Sequence, residues 1–375
     1  MRNSLGPLVC RVTLCAFSLV VVAAPGGAAV AAPPAAQAPP AAAEASSIKF
    51  AQRYHALQHG GITRAANTAI TCRKRMTARA VSCPSARGGK AAANNDFDMF
   101  YVDVDRDPNT YNSSRGEVRL PAGSRVTNAR LYWGGNLRVG EQKPPKDNGK
   151  ALIAEPGGSY RNVKADTLVG HRTANGADAF QASADVTPLV RASGAGLYTV
   201  AQVNVAMGNS KAGAWGGWTL VVAYENPSEP LRHLTVWDGF DSFDARGRSH
   251  AIRLRGTPVP ARAGGSVGMV AYNGDRGTTG DTLTVSTDRS RPVRLSNAAN
   301  PARDVLNSTI SDPGGPGGQS ARTPSYANTL GYDSDIFRLG GALKADRKGL
   351  LIRLASQRES AWAGVLFAAV DATKR

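Results

Sequence analysis

Three carboxylates at alternate positions, Asp103, Asp105 and Asp107, followed by Asn109, form the most metal-like run in the chain. Hard oxygen donors spaced two residues apart can wrap a Ca2+ ion. Against the calcium-loop template, Pro108 stands where the turn glycine belongs and Ser114 where a bidentate acid belongs, and Glu117 would serve only in a longer loop. On a strand, the same alternation instead makes an exposed acidic edge that discourages edge-to-edge pairing. Ca2+ is thus the one cofactor raised, beside a plain solvated edge. Further acids recur as Asp238, Asp241 and Asp244, as Asp275 and Asp281, and as Asp333 and Asp335. A glycosidase needs two carboxyls about 5 to 9 Å apart across a cleft, whereas Asx turns in β loops account for the same residues.

Nucleophile motifs are missing from the sequence: there is no G-x-S-x-G, no H-E-x-x-H and no phosphate loop. Ser46 and Lys49 match S-x-x-K by spacing, but follow a Pro/Ala tract where no oxyanion hole is built. A non-enzymatic protein is the expectation. Cys72 and Cys83 form an even pair and read as one disulfide in an exported chain. Zinc is the weaker alternative, on the H-x3-H spacing of His55 and His59. Trp215, flanked by Gly213, Gly216 and Gly217, is the best candidate for an exposed sugar-stacking ring. Trp133, Trp218, Trp237 and Trp362 sit at strand ends and read as core.

The formal net charge is +17, carried by 34 Arg and 11 Lys. It is unevenly placed: residues 45–95 hold nine basic residues and no acid. Arg73, Lys74, Arg75, Arg79, Arg87 and Lys90 are its densest part and form a candidate basic patch. Nucleic acid is not the expected partner, because aromatics are sparse there and the chain reads as exported. Anionic cell-wall polymers or extracellular glycans fit better. Export rests on residues 1–31: Arg2 and Arg11, a 13-residue apolar run from Val12 to Ala24, a Pro-Gly-Gly break, and Ala29-Val30-Ala31. That run is shorter than the roughly 20 residues that span a bilayer, so no stable membrane anchor is expected. Cys10 and Cys15 are misplaced for a lipoprotein. The predicted location is secreted, extracellular or cell-wall associated. Oligomeric state is left open.

These residues need elements to hold them, and the pattern is β. Glycine and proline number 41 and 22, too many for helical bundles. Short apolar or alternating runs recur every 10 to 20 residues from Phe97 to Val370, bounded by Gly, Pro, Asn or Asp. Twelve strands are predicted: Phe97–Val104, Arg115–Leu120, Arg125–Trp133, Phe180–Ala184, Tyr198–Val205, Trp218–Tyr224, Leu231–Trp237, His250–Leu254, Ser266–Tyr272, Thr282–Ser286, Leu350–Ala355 and Trp362–Val370. One helical turn is expected at Thr187-Pro188, capped by Thr187 and stopped at Gly194. The fold class is all-β, a jelly-roll-like sandwich or two packed sandwiches, with a basic disulfide-closed N-terminal arm. The expected divisions are a signal peptide (1–31), an Ala/Pro-rich linker (32–52), the basic arm (53–95) and the β body (96–373).

The body resembles an uncharacterised module of secreted bacterial surface proteins that often precedes Ig-like repeats of unknown function. The resemblance, over about residues 60–373, is carried by Asn94-Asn95-Asp96-Phe97-Asp98-Met99, Tyr101-Val102-Asp103-Val104-Asp105, Tyr111-Asn112-Ser113-Ser114, Ala129-Arg130-Leu131-Tyr132-Trp133-Gly134-Gly135, Gly217-Trp218-Thr219-Leu220-Val221-Val222-Ala223-Tyr224-Glu225-Asn226-Pro227, Leu234-Thr235-Val236-Trp237-Asp238-Gly239 and Leu330-Gly331-Tyr332-Asp333-Ser334-Asp335. It implies an extracellular structural or adhesive β module and brings no catalytic residues. A carbohydrate-binding jelly roll is the alternative, and a secreted hydrolase comes third.

Overall fold

A single 21-residue strand, Ile48–Thr68, organises the molecule. Residues 60–68 pair antiparallel with Gly216–Glu225, and residues 48–59 pair antiparallel with the next strand, Leu231–Ser242. One strand therefore belongs to two sheets at once. The computed structural model describes residues 44–372 apart from 168, 244–248, 261, 289, 314–318, 344–346 and 359. The expected signal sequence, Cys10, Cys15 and Asp244 lie outside the described residues.

The crossing from one sheet to the other falls at Gly60-Gly61. Gly60 has φ +145°, and a Cβ there would stand 2.0 Å from the Tyr224 carbonyl oxygen. Only glycine permits that approach. The turn between the two partner strands is tied to the same point, with Asn226 N–H donating to the His59 carbonyl (2.9 Å) and Gly60 N–H to the Pro230 carbonyl (3.3 Å).

Among the described residues an eleven-stranded sheet runs, in spatial order, Glu44–Ala45, Val169–Ala174, Ala177–Asp185, Arg125–Asn136, Gly216–Glu225, Ile48–Thr68, Leu231–Ser242, Trp362–Asp371, Gly265–Tyr272, Tyr332–Arg338 and Ile310–Ser311. A five-stranded sheet, Arg322–Thr323, Ser113–Val118, Gly196–Ala201, Lys150–Ala154 and Arg161–Lys164, shares one apolar interior with the first half. There Leu131, Trp133, Trp218, Leu220 and Val222 meet Val118, Ile153, Tyr198 and Val200. A four-stranded sheet, Ser249–Val259, Arg347–Ala355, Thr282–Thr287 and Val293–Arg294, does the same for the second half, where Val267, Met269 and Leu366 meet Leu283, Val285, Leu350 and Ile352. These are two β-sandwiches.

The two halves of the large sheet also share a third interior, because their strands are apolar on both faces. Trp218, Leu220 and Val222 point one way, while Val221 and Ala223 point the other, into a cluster with Trp215, Phe240, Tyr272, Tyr332 and Trp362. Phe240 stacks on Trp362 at 5.0 Å between ring centroids, and Tyr272 meets Tyr332 edge-on at 5.4 Å. Such pairs add about 1 kcal/mol each beyond simple burial.

All twelve predicted strands are present, most of them within a few residues of their expected ends. The linker and arm are corrected: residues 48–68 are not a spacer leading into a basic arm but the strand shared by both sandwiches, and Ile70–Arg75 pairs with Phe97–Tyr101. Their boundary with the body disappears, since residues from 41 onward form one compact unit. The helix Thr187–Ser193 forms and stops at Gly194 (φ +69°), but Thr187 does not cap it. The Thr187 hydroxyl instead accepts from Ala129 N–H (2.8 Å), while the Asp185 carboxylate accepts the Thr187 N–H (2.7 Å).

Gly60→Ala is expected to destabilise the protein by about 3 kcal/mol or more, since it adds both a backbone clash and a strained φ. In urea unfolding, circular dichroism and tryptophan fluorescence should move together to lower denaturant. A change under about 1 kcal/mol would show that the crossing does not depend on glycine.

Candidate functional site

The acidic run Asp103 to Asn109 folds into a loop that consumes its own carboxylates. The Asp103 carboxylate accepts from the Ser113 hydroxyl (2.7 Å), Asp105 from the Asp107 N–H (2.9 Å) and the Thr110 hydroxyl (3.1 Å), and Asp107 from the Asn109 N–H (2.9 Å). Tyr160 also donates to Asp105. Burial acts to raise the Asp105 carboxyl, but these hydrogen bonds outweigh it and hold the group below its ordinary range. Glu117 accepts from Arg119 (2.8 Å) and from Ala321 N–H (2.8 Å). The calcium expectation is corrected accordingly: the oxygens serve turns. Among the described residues no group of three or more His, Cys, Asp or Glu side chains is arranged to hold a metal ion.

Cys72 and Cys83 are both buried and adjoin each other, and the structure does not join them as a disulfide. Burial pushes the Cys72 thiol up to about 12, with the hydrogen bond that this thiol donates to its neighbour Cys83 adding to the rise. The segment is closed instead by Arg87, which donates to the Thr71 hydroxyl (3.1 Å) and to the Cys72 carbonyl, with its guanidinium 5.1 Å from the Tyr326 ring. Arg87 therefore leaves the basic patch. Arg73, Lys74, Arg75, Arg79 and Lys90 remain exposed.

Trp215 is fully buried, and its exposed reading is corrected. Its ring packs 5.8 Å from Tyr272 and 6.2 Å from Trp362. The neighbouring glycines admit other chain segments: a Cβ at Gly217 would stand 2.6 Å from the Asn67 carbonyl oxygen. Of the other acids, Asp238 is clamped by Arg53 through bonds of 2.7 and 2.9 Å and receives the Tyr132 hydroxyl at 3.1 Å. Asp241 pairs with Arg172.

The remaining acids gather in one buried polar layer that sequence spacing does not reveal. Asp281 accepts Leu306 N–H (2.7 Å), Asp304 accepts Gly277 N–H (3.1 Å), and Asp333 accepts Thr309 N–H (3.0 Å). Asp335 accepts from Ser311 (2.7 Å), Thr309 (3.0 Å) and Asn300 (3.1 Å). In each of these four carboxyls the second oxygen is buried without a hydrogen-bond partner. Burial accordingly pushes Asp275 and Asp281 up to about 7 and Asp335 up to about 6. Asp333 rises further, because burial and the adjacent Asp335 both oppose a second charge.

Beside this layer, Arg64, 1 % exposed, donates to the Ser334 carbonyl (3.2 Å) and pairs with Asp312 at 3.3 Å. Asp312 opens onto a cavity of about 560 Å3 whose wall includes Arg276, Arg322 and Arg338 with Asn297, Ser311 and Gln319. A second cavity, of about 750 Å3, is lined by Asn94, Asn95, Asn175, Asn273, Ser210 and Ser360 among others.

Residues 96–261 match the family model described as "Protein of unknown function (DUF3344)". A search of the curated proteins finds no match. Among solved structures, the major capsid protein P2 of bacteriophage PM2 is 9 % identical with a TM-score of 0.18, covering 84 % of this chain and 99 % of its own. PNGase F, a glycosylasparaginase from Flavobacterium meningosepticum, is 10 % identical with a TM-score of 0.20, covering 83 % and 97 %. A conserved protein of unknown function from Pseudomonas aeruginosa PAO1 is 11 % identical with a TM-score of 0.18, covering 70 % and 90 %. Likenesses at these scores carry no argument about activity.

Two outcomes follow from the buried groups. Trp215→Ala should cost about 3 to 5 kcal/mol in denaturant unfolding, as for a core aromatic, rather than act only on a ligand. For the carboxyls, a folded pKa raised above the unfolded value of about 3.9 means that the folded state binds protons more tightly between the two. Their stabilisation is complete below about pH 4 and is lost as pH rises through about 7. Unfolding titrations from pH 4 to pH 8 should therefore show falling stability, on the order of 3 kcal/mol from Asp281 alone, and Asp281→Asn should flatten that slope.

Proposed function

We propose that the protein is a non-catalytic extracellular β module held electrostatically on anionic envelope polymers. The observation that carries this reading is the basic strand Ile70–Arg75. Arg73, Lys74 and Arg75 project from a two-stranded sheet fixed by pairing with Phe97–Tyr101, and Arg79 and Lys90 lie exposed in the segments that follow. Of these five, only Arg73 makes an ion pair among the described residues, with Asp98 at 2.7 Å. Exposed Met76 and Phe100 border the surface, with the Arg73 guanidinium 4.7 Å from the Phe100 ring centre. Lys74, Arg75, Arg79 and Lys90, which make no ion pair among the described residues, leave a net positive surface that attracts a polyanion.

Three further facts support the reading. The N-terminal sequence has the pattern of an export signal. The match to a family of unknown function accords with the resemblance to an uncharacterised module. Asp238 and Asp241 are committed to Arg53 and Arg172, and Asp281, Asp304, Asp333 and Asp335 lie in the interior, away from an open cleft. A second reading, a carbohydrate-binding module, has lost Trp215 as its platform and keeps only a polar cavity whose four asparagine amides also donate within the protein.

Sedimentation of the protein with isolated cell wall, before and after removal of the anionic polymers and across a salt series, tests both. Binding should vanish with the polymers and weaken with salt, and the triple variant Lys74→Gln, Arg75→Gln, Arg79→Gln should bind about tenfold more weakly at low salt. Binding that survives polymer removal and high salt would favour the glycan reading and overturn the tether.

A further inference from the structure

The cavity beside Asp312 presents a charge problem that the protein does not solve internally. Asp312 is the only acid in its wall among the described residues, and Arg64 already pairs with it. Arg276, Arg322 and Arg338 make no ion pair among the described residues; each is held by neutral carbonyls instead. Arg276 donates to Gly89 (3.2 Å) and Ala327 (2.7 Å), Arg322 to Tyr326 (3.0 Å), and Arg338 to Pro313 (3.3 Å). Carbonyls orient a guanidinium without neutralising it. Two donors, Arg322 Nη1 and Arg276 Nε, are buried with no hydrogen-bond partner. A buried N–H of a charged group left unmet is costly, and arginine cannot shed its proton to escape the cost.

We infer that this cavity binds a phosphate group, seated among Arg276, Arg322 and Arg338 and oriented by Asn297, Ser311 and Gln319 in the wall. Three guanidiniums facing one space exceed what a single carboxylate would balance, and forked N–H donors match phosphate oxygens. Burial and then the like charge of Arg64 push the Arg322 guanidinium down to about 10, against the opposing pull of Asp312 and Asp335, so those carboxylates do not fully offset the cost of its burial. The three arginines come from the loop after Gly265–Tyr272, the short strand Arg322–Thr323 and the end of Tyr332–Arg338, so the site exists only once both sandwiches have formed. It is separate from the basic strand and stands whether or not that strand tethers the protein.

Calorimetric titration of the full chain with inorganic phosphate, with dimethyl phosphate, and with acetate at matched ionic strength tests the proposal. Saturable phosphate binding is expected, with acetate at least about tenfold weaker. Arg338→Gln, at an exposed position, should weaken phosphate binding about tenfold or more with the thermal midpoint unchanged. Arg322→Gln should abolish binding without lowering the midpoint, since it removes an uncompensated buried charge; should it fail to fold, Arg338→Gln decides. The Lys74, Arg75, Arg79 triple variant should bind phosphate as the wild type does. Binding of phosphate alone would assign the site to a terminal monoester, and binding of dimethyl phosphate as well to the diester of a polymer. Acetate binding as tightly as phosphate, no saturable binding at all, or full binding by Arg338→Gln would overturn it.

Discussion

The molecule depends on one constraint, the passage of a single strand between two sheets at Gly60. Residues 60–68 close the edge of one sandwich and residues 48–59 that of the other, so neither half of the large sheet is complete without it. The absence of a side chain at that point is what lets the chain pass against the Tyr224 carbonyl. The same strand carries Arg64 to the strand Tyr332–Arg338 and Arg53 to Asp238, placing a guanidinium on each side of the crossing. The aromatic interior around Trp215, Phe240, Tyr272 and Trp362 then fills the space between the sheets that the strand has joined.

Burying charge beside that crossing divides the polar groups into two kinds. The carboxyls of Asp275, Asp281, Asp333 and Asp335 can give up their charge by holding a proton, and burial drives them to do so. Guanidiniums have no such route at physiological pH. Arg64 is answered by Asp312, and Arg276, Arg322 and Arg338 are left facing the cavity. One polar layer therefore has an acidic side whose charge burial works to suppress and a basic side whose charge persists. The basic surface on Ile70–Arg75 is a different case: its side chains are hydrated, and their value lies in long-range attraction rather than in a fitted contact.

The matched family region, residues 96–261, cuts across this architecture. It contains most strands of the first sandwich and part of the second, but lacks the shared strand Ile48–Thr68 and the closing strands Tyr332–Arg338 and Trp362–Asp371. The matched stretch is thus a piece of a structural unit that runs from residue 41 to the C-terminus. Both the Asp312 cavity and most of the buried acid layer lie outside it.

Alternating apolar residues and Gly/Pro punctuation determined where twelve strands and one short helix fall, because a two-residue period and a chain stop are local properties. They did not reveal Ile48–Thr68, whose buried side chains are Ile62, two alanines, Arg64, Asn67 and Thr68, too few large apolar residues to give a strand signal. Trp215 read as exposed because glycines flank it, whereas in the fold those glycines make room for other strands to close over the ring. The acidic run Asp103 to Asn109 announced carboxylates, but whether they turn to a metal or to their own backbone was settled by Ser113 and Tyr160 arriving from other segments. Arg276, Arg322 and Arg338 carry no spacing signal; only the joining of two sandwiches brings their charges to one cavity, with Arg64 behind it on Asp312, because charge couples through distance in space and not along the chain.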